Sequence, residues 1–326
     1  MKRIFCLLAF VMALNSCDDG DLKVESFDFG NAQTAVCGLD TPNFFVYKIN
    51  DNEALLVQLP EETFELEQET PVGTPIVLTI GPNVKAIYRL YSGSVVRETI
   101  CSTIPASSPV VTEEWVATGG TIEIVSNAVH PVVEATGANF ITGYSHTITF
   151  RNITFDTGDG NTQTNREIPF GTYITAVTVP LNFTILTTNE CVADNILFKA
   201  SGNQVMTLDL DTATFNSLFV NEVTVTPRIS YINETNILTY RRFGTTIDQA
   251  SFCAGTVPPL LEELWTAENG VEGISGIIEV STVQIVGTDD YEHTIIFRKI
   301  NFGNIENDQK FTFGTAYEFG KYVTSE

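Results

Sequence analysis

The chain has 326 residues, with 40 Asp and Glu against 17 Lys and Arg, a formal net charge of −23. A field of that sign repels phosphate backbones and anionic surfaces, which excludes nucleic acid as a partner. Only 17% of residues are charged while 43% are hydrophobic, a composition that builds cores in two or more domains and excludes a disordered acidic tail.

Lys2 and Arg3 precede an apolar run from Ile4 to Leu14. A permanent transmembrane helix needs about 20 apolar residues, so this run reads instead as the core of a secretory signal peptide over residues 1–16. It ends in Leu14-Asn15-Ser16-Cys17, which resembles the lipobox of bacterial lipoproteins. That resemblance implies that the Cys17 thiol is acylated and becomes the new N-terminus, with the lipid bilayer as partner through the acyl chains. Asp18-Asp19-Gly20-Asp21 follows and resembles the surface-export signal of Bacteroidota lipoproteins. It implies an acidic tether over residues 17–24 and an outer-membrane or cell-surface location. Removal of Met1 to Ser16 leaves 15 basic against 40 acidic residues, a net charge of −25.

The remaining chain repeats itself. YSHTITFRNITF from Tyr144 recurs as YEHTIIFRKINF from Tyr291, and FGTYIT from Phe170 as FGKYVT from Phe319. NEALLVQLPEETF from Asn52 matches NQVMTLDLDTATF from Asn203, and Trp115, Phe29, Cys37 and Cys101 match Trp265, Phe183, Cys191 and Cys253. The offsets stay between about 147 and 154 and keep their order, the signature of a tandem duplication of a unit of about 150 residues. Within each copy a proline-bearing stretch, STIPASSPVV after Cys101 and AGTVPPLLE after Cys253, reads as a linker or corner. Four β-modules follow from this division, 25–103, 104–177, 178–255 and 256–326.

Cys6 leaves with the signal peptide and Cys17 takes the lipid, so Cys37, Cys101, Cys191 and Cys253 remain. Four cysteines allow three pairings. Equivalent bonds in both copies select Cys37–Cys101 and Cys191–Cys253, each worth up to about 4 kcal/mol by loop closure in an oxidising compartment.

The residues are β-branched and aromatic with a period mostly of two, which predicts an all-β antiparallel chain, each unit holding two small sandwich-like or barrel-like modules. FFVYKI from Phe44 and ALLVQL from Ala54 flank a polar turn and read as a hairpin. PIVLTI, KAIYRLY and SVVRETIC read as further strands, and GGTIEIVS matches SGIIEVST as a strand opening after glycine. Helical spacing appears only at Leu260 to Trp265 and Thr212 to Phe219. His146, Ile148 and Phe150 share a face, but the apolar residues then change face to Ile153 and Phe155. The second copy changes face likewise after Phe297, which predicts a bulge or sheet crossing near Arg151 and Arg298.

Candidate chemistry is sparse. His146 and His293 occur in both copies without a neighbouring nucleophile in sequence, and read as half-buried histidines bonded across a sheet. His130 stands in the first copy alone and is, with Trp115 and Trp265, a candidate ligand-facing residue, and with the acidic loop of that copy the place for an enzyme's site. Trp115 beside Glu113 and Glu114, and Trp265 beside Glu262 and Glu263, could stack a sugar ring over carboxylates or plug a module core. Asp156, Asp159 and Asn161 lie in a glycine-bearing acidic loop with oxygen ligands for calcium, though without EF-hand spacing, and a plain hairpin loop is the competing reading. Asp211-Thr212-Ala213 resembles a Bacteroidota O-glycosylation signal. No cofactor is expected.

As a whole the chain resembles the uncharacterised lipoproteins of flavobacteria, a resemblance that implies location and not mechanism. The expected function is a non-catalytic, lipid-anchored surface protein, a binding or structural module for an extracellular ligand, a glycan or an envelope protein. An enzyme acting on extracellular polysaccharide, with its site in one copy, is the alternative.

Overall fold

The computed structural model describes residues 29–325 apart from 31, 38–44, 65–68, 105, 178–180, 182, 184, 185, 193, 248–251 and 254–259. Residues 1–16, read above as a signal peptide, Cys17 and residues 17–24, read as a tether, therefore lie outside the described residues. The chain is mostly antiparallel β-sheet, as its composition predicts, and divides into two compact units that interleave along the sequence.

The first unit takes the chain through Pro60, then Val77–Ile122 and Thr149–Gly171. Its strands are β1 (Ala35–Val36), β2 (Phe45–Asn50), β3 (Glu53–Gln58), β4 (Ile76–Thr79), β5 (Lys85–Tyr91) and parts of β6 (Val111–Val129), β7 (Gly143–Asp156) and β8 (Thr162–Ala176). They run in the order β1-β2-β3-β5-β6-β7-β8, with β4 on β6. The β2–β3 hairpin turns at Asp51, whose φ of 52° is the left-handed conformation that Asp tolerates better than most residues.

Both strands of that hairpin are buried along nearly their whole length instead of alternately. The reason is a layer on one face: the Cys37–Cys101 disulfide, Tyr91 and Val95 cluster with Tyr47, Ala54 and Leu56. The short helix α1 (Arg97–Cys101) carries Cys101 to that position, with the Cα atoms of the pair 5.2 Å apart. SVVRETIC is thus no strand. Its β-branched residues suggest one, but the chain must turn back over the hairpin to close the bridge, and Thr99 Oγ1 accepts the Val96 N–H at the helix start.

The second unit comprises Glu61–Ile76, Glu123–Ile148 and Thr172–Glu326. It holds the remaining parts of β6, β7 and β8, then β9 (Asn189–Cys191), β10 (Ile196–Ser201), β11 (Gln204–Asp209), helix α2 (Thr212–Leu218), β12 (Arg228–Tyr231), β13 (Ile237–Phe243) and β14 (Leu261–Ala267). Strands β15 (Ile277–Gln284), β16 (Asp290–Arg298), β17 (Asn301–Asn304), β18 (Lys310–Thr312) and β19 (Tyr317–Ser325) complete it. A seven-stranded sheet runs β18-β17-β14-β13-β11-β10-β9 and a four-stranded one β12-β15-β16-β19. Their inner faces meet in an aromatic core of Trp265, Phe297, Phe302, Phe311, Phe313 and Phe319.

Helix α2 is the one expected from helical spacing, and Asp211 caps it by accepting the Thr214 N–H at 2.8 Å. The Leu260 to Trp265 segment is the strand β14 instead. Pairing with β13 fixes it, Tyr240 opposite Trp265, and burial of Trp265 and Ala267 in the core outweighs its helical spacing. Cys191 and Cys253 are bridged, with Cα atoms 5.4 Å apart.

The change of buried face has a local cause. Asn152 (φ 48°) in β7 and Lys299 (φ 50°) between β16 and β17 are left-handed, and each directly follows the arginine after the buried Phe150 or Phe297. One residue in that conformation rotates the strand, so Ile153 and Ile300 become buried where alternation would expose them. Gly120 (φ 110°) makes the bend possible: a Cβ there would lie 2.6 Å from Ile153 Cα and 2.8 Å from Asn152 O.

Candidate functional site

Three neighbouring strands bring Ser126 (β6), His146 (β7) and Thr175 (β8) into one line. Ser126 Oγ lies 2.8 Å from His146 Nδ1, and His146 Nε2 lies 2.9 Å from Thr175 Oγ1. Phe64, at the end of a 3-10 turn (Glu61–Phe64), covers the imidazole at 4.8 Å between ring centroids, and Tyr173 packs at 6.3 Å. Thr70 fixes Ser126 from the other side: its N–H donates to Ser126 O and its hydroxyl accepts the Ser126 N–H, both at 3.0 Å.

The same contacts surround His293. Thr282 Oγ1 is 2.8 Å from Nδ1 and Thr324 Oγ1 is 2.9 Å from Nε2, while Phe219 and Tyr322 pack on the ring and Thr224 repeats the contacts of Thr70. Here the proton positions can be deduced. The Thr324 hydroxyl donates to Asn221 Oδ1, so its oxygen accepts from His293 Nε2–H. Nδ1 then carries no proton and accepts the Thr282 O–H, whose oxygen in turn accepts an N–H from Arg228 at 2.8 Å. The result is a directional chain from Arg228 through Thr282, His293 and Thr324 to Asn221.

Both imidazoles are buried, at 1% and 0% exposure. Burial lowers the pKa of each to about 4, and at His293 the Arg228 charge adds to the effect. They are neutral at pH 7. Ser126 and His146 have the spacing of a nucleophile and its base, yet a base of pKa about 4 takes a proton poorly at neutrality. The group beyond the ring is a hydroxyl, where a catalytic triad places a carboxylate. What the arrangement does well is tie three adjacent strands together.

The other sequence candidates are held by their own surroundings. Trp115, 3% exposed, packs on Tyr88 at 5.1 Å and donates its Nε1–H to Glu113 at 2.7 Å, so the ligand-facing reading gives way to a core role. Glu114 pairs with Arg89. Trp265 is likewise buried and donates to Glu263, which with Glu262 is ion-paired to Arg242. It borders a cleft of about 40 Å³ with Phe140, Ile141, Tyr144, Tyr240 and Phe311, far smaller than the ~300 Å³ at which small-molecule pockets begin. His130 bonds through Nδ1 to Asn139 O at 3.2 Å and lines neither of these sites.

The acidic loop satisfies itself. Asp156 accepts the Gly158 N–H, and Asp159 accepts the Thr157 hydroxyl and both the backbone and side-chain N–H groups of Asn161. These bonds, that of Thr157 foremost, hold the Asp159 carboxyl at a pKa of about 2. Its oxygens serve a hairpin turn, which favours the loop reading over calcium. Among the described residues no three His, Cys, Asp or Glu side chains converge as metal ligands. Thr212 is exposed at the start of α2, where the Asp211 and Thr214 side chains act as the helix cap.

Two groups were not legible as candidates. Lys48 and Lys199 are buried strand residues. Among the described residues Lys199 Nζ has no hydrogen-bond partner, and it lies 5.1–5.5 Å from the ring centres of Tyr317, Phe319 and Phe183. Burial depresses its pKa to about 8, against a small opposing pull from Glu318. Ser126 and Thr282 carry no motif either; the signal that marks them is the hydroxyl that closes both GGTIEIVS and SGIIEVST. No protein-family model, curated protein or solved structure matches the chain.

Proposed function

We propose that the chain is a non-catalytic, lipid-anchored protein of the bacterial outer membrane or cell surface, formed by two tandem copies of one unit. Its role is to bind an extracellular ligand, a glycan or an envelope protein, or to support the envelope structurally. The observation that carries this reading is the hydroxyl–histidine–hydroxyl bridge, found at His146 and again at His293 with the same distances and the same flanking rings. Disulfides spanning 64 and 62 residues support the duplication and the oxidising address. Each copy comprises two small sandwich-like or barrel-like modules, 25–103 and 104–177 in the first and 178–255 and 256–326 in the second. The groups best suited to catalysis are committed to their own sheets, which favours binding over polysaccharide cleavage.

Two experiments test the parts separately. Cys17→Ala should abolish incorporation of labelled fatty acid and release the protein from membranes; unchanged labelling would remove the anchor. A glycan array probed with the full chain carrying Cys17→Ala tests glycans as ligand, and binding no better than an unrelated acidic protein would eliminate them.

A further inference from the structure

Ser126 borders a cleft of about 120 Å³ whose other walls include Thr63, Glu69, Thr70, Thr74 and Ile76. The corresponding place beside Thr282 is filled by the side chain of Arg228. The equivalence follows from backbone bonds. Thr70 and Thr224 hold Ser126 and Thr282 in the same way, and Ile80 and Ile232 donate their N–H groups to Gly120 O and Gly276 O. Counting back along β4 and β12 from those bonds places Ile76 where Arg228 stands.

The two sites therefore share a histidine, a hydroxyl on its Nδ1 and a threonine brace, and differ in one donor. At the second, Arg228 gives one N–H to Thr282 Oγ1 at 2.8 Å and another to Glu222 O at 2.9 Å. At the first, the chain supplies an aliphatic side chain at that register, beside a cleft whose lining includes Thr63, Thr70, Thr74, Ser126 and Glu69. Glu69 accepts the Ala128 N–H through Oε1, and among the described residues its second oxygen has no donor, which leaves it and the carboxylate charge to a cation. The ~10–15 Å³ that one water needs is far exceeded here, so the cleft admits a small polar group.

We propose that the cleft beside Ser126 binds a guanidinium group carried by an extracellular ligand, in the place that Arg228 fills internally at the other site. The ligand's N–H groups donate to Ser126 Oγ and Glu69, and the Ser126 O–H donates to His146 Nδ1, as Thr282 does to His293. A planar, multi-donor cation suits this set of acceptors better than a compact ammonium. The strongly negative mature chain draws such ligands by its field. The proposal rests on the tandem-copy, binding-module reading and gives it a ligand class.

Agmatine, a small guanidinium with no peptide or sugar part, is the probe, with putrescine as the comparator of similar charge and length. The full chain carrying Cys17→Ala is titrated and the Thr70 and Ser126 amide signals are followed by NMR. We expect one site, at least tenfold tighter for agmatine than for putrescine, and its loss in Ile76→Arg, which supplies the group from the chain itself. Arg228→Ala should add a second equivalent of bound agmatine. Equal response to the two amines, no response, or full binding retained in folded Ile76→Arg would each overturn the proposal. A negative glycan array with a positive agmatine titration leaves this site standing, and the reverse result removes only this site.

Discussion

Lys48 Nζ donates to the carbonyl oxygen of Phe29 at 3.0 Å inside the first unit. Gly171 lets the side chain reach that acceptor, because a Cβ there would lie 2.8 Å from Lys48 Cε. Lys199, which the sequence repeat matches to Lys48, has three aromatic rings around it and, among the described residues, no such acceptor. The difference sets one buried cation as bonded and the other as costly.

Lys199→Met should therefore stabilise the protein at pH 7 by about 1–3 kcal/mol, since a buried unpaired amine is replaced by an apolar chain of similar shape. The pH dependence has a definite sign. The folded pKa of about 8 lies below the ordinary 10.5, so the unfolded chain binds the proton more tightly and this group's penalty disappears as pH rises from 8 to 10.5. Urea unfolding of wild type and variant at pH 7 and pH 10 reads the effect. A constant gap between the two would show that Lys199 does not titrate in this way.

The buried histidines act at the other end of the pH scale. Their folded pKa values of about 4 lie below 6.5, so their contribution is present above pH 6.5 and is lost as pH falls from 6.5 towards 4. A shift of that size corresponds to a loss of up to about 3 kcal/mol for each ring. His146→Gln and His293→Gln should be less stable than wild type at pH 7 yet show a flatter decline between pH 6.5 and 4.5. Parallel declines in all three proteins would assign acid sensitivity elsewhere.

Legibility in the sequence depends on the range of the interaction. The hairpin at Asp51 and the face changes beside Arg151 and Arg298 are local patterns of side-chain alternation, and both appear in the fold where the sequence places them. The disulfides were readable because pairing two matched sets of cysteines leaves one consistent choice. The helix Arg97–Cys101 was not, because its conformation answers to the position of Cys37, 64 residues away. The hydroxyl partners of His146 were hidden for the same reason. Ser126 and Thr175 lie 20 and 29 residues from it, and only strand pairing brings all three together. The tryptophans misled in the opposite direction, since neighbouring glutamates suggest a ligand platform but accept the indole N–H instead.

Gly120 and Gly119 offer a paired test of the bend. Gly120→Ala places a methyl against the Ile153 Cα and the carbonyls of Asn152 and Arg151, all backbone, at a φ of 110° that alanine avoids. Gly119→Ala meets nothing within 4 Å. We expect Gly120→Ala to cost more than about 2 kcal/mol, with Gly119→Ala within about 0.5 kcal/mol of wild type. Thermal unfolding of both variants decides it. Similar losses would mean that the bend is not braced by close approach of the β6 backbone.

The two disulfides allow the entropic and packing parts of a crosslink to be separated. Their loops of 64 and 62 residues differ so little that chain entropy assigns both the same contribution, about 4 kcal/mol. Their surroundings differ. Cys37 and Cys191 are both buried in apolar clusters, but their partners differ, Cys101 being half-buried and Cys253 exposed. Removing Cys37 and Cys101 together should therefore cost about 1 kcal/mol more than removing Cys191 and Cys253, the excess coming from lost packing over the β2–β3 hairpin. Trp115 lies in the first unit and Trp265 in the second, so single-tryptophan backgrounds report the two transitions separately by fluorescence. Equal losses would assign the whole effect to the unfolded chain, and a larger loss at Cys191–Cys253 would contradict the packing argument outright.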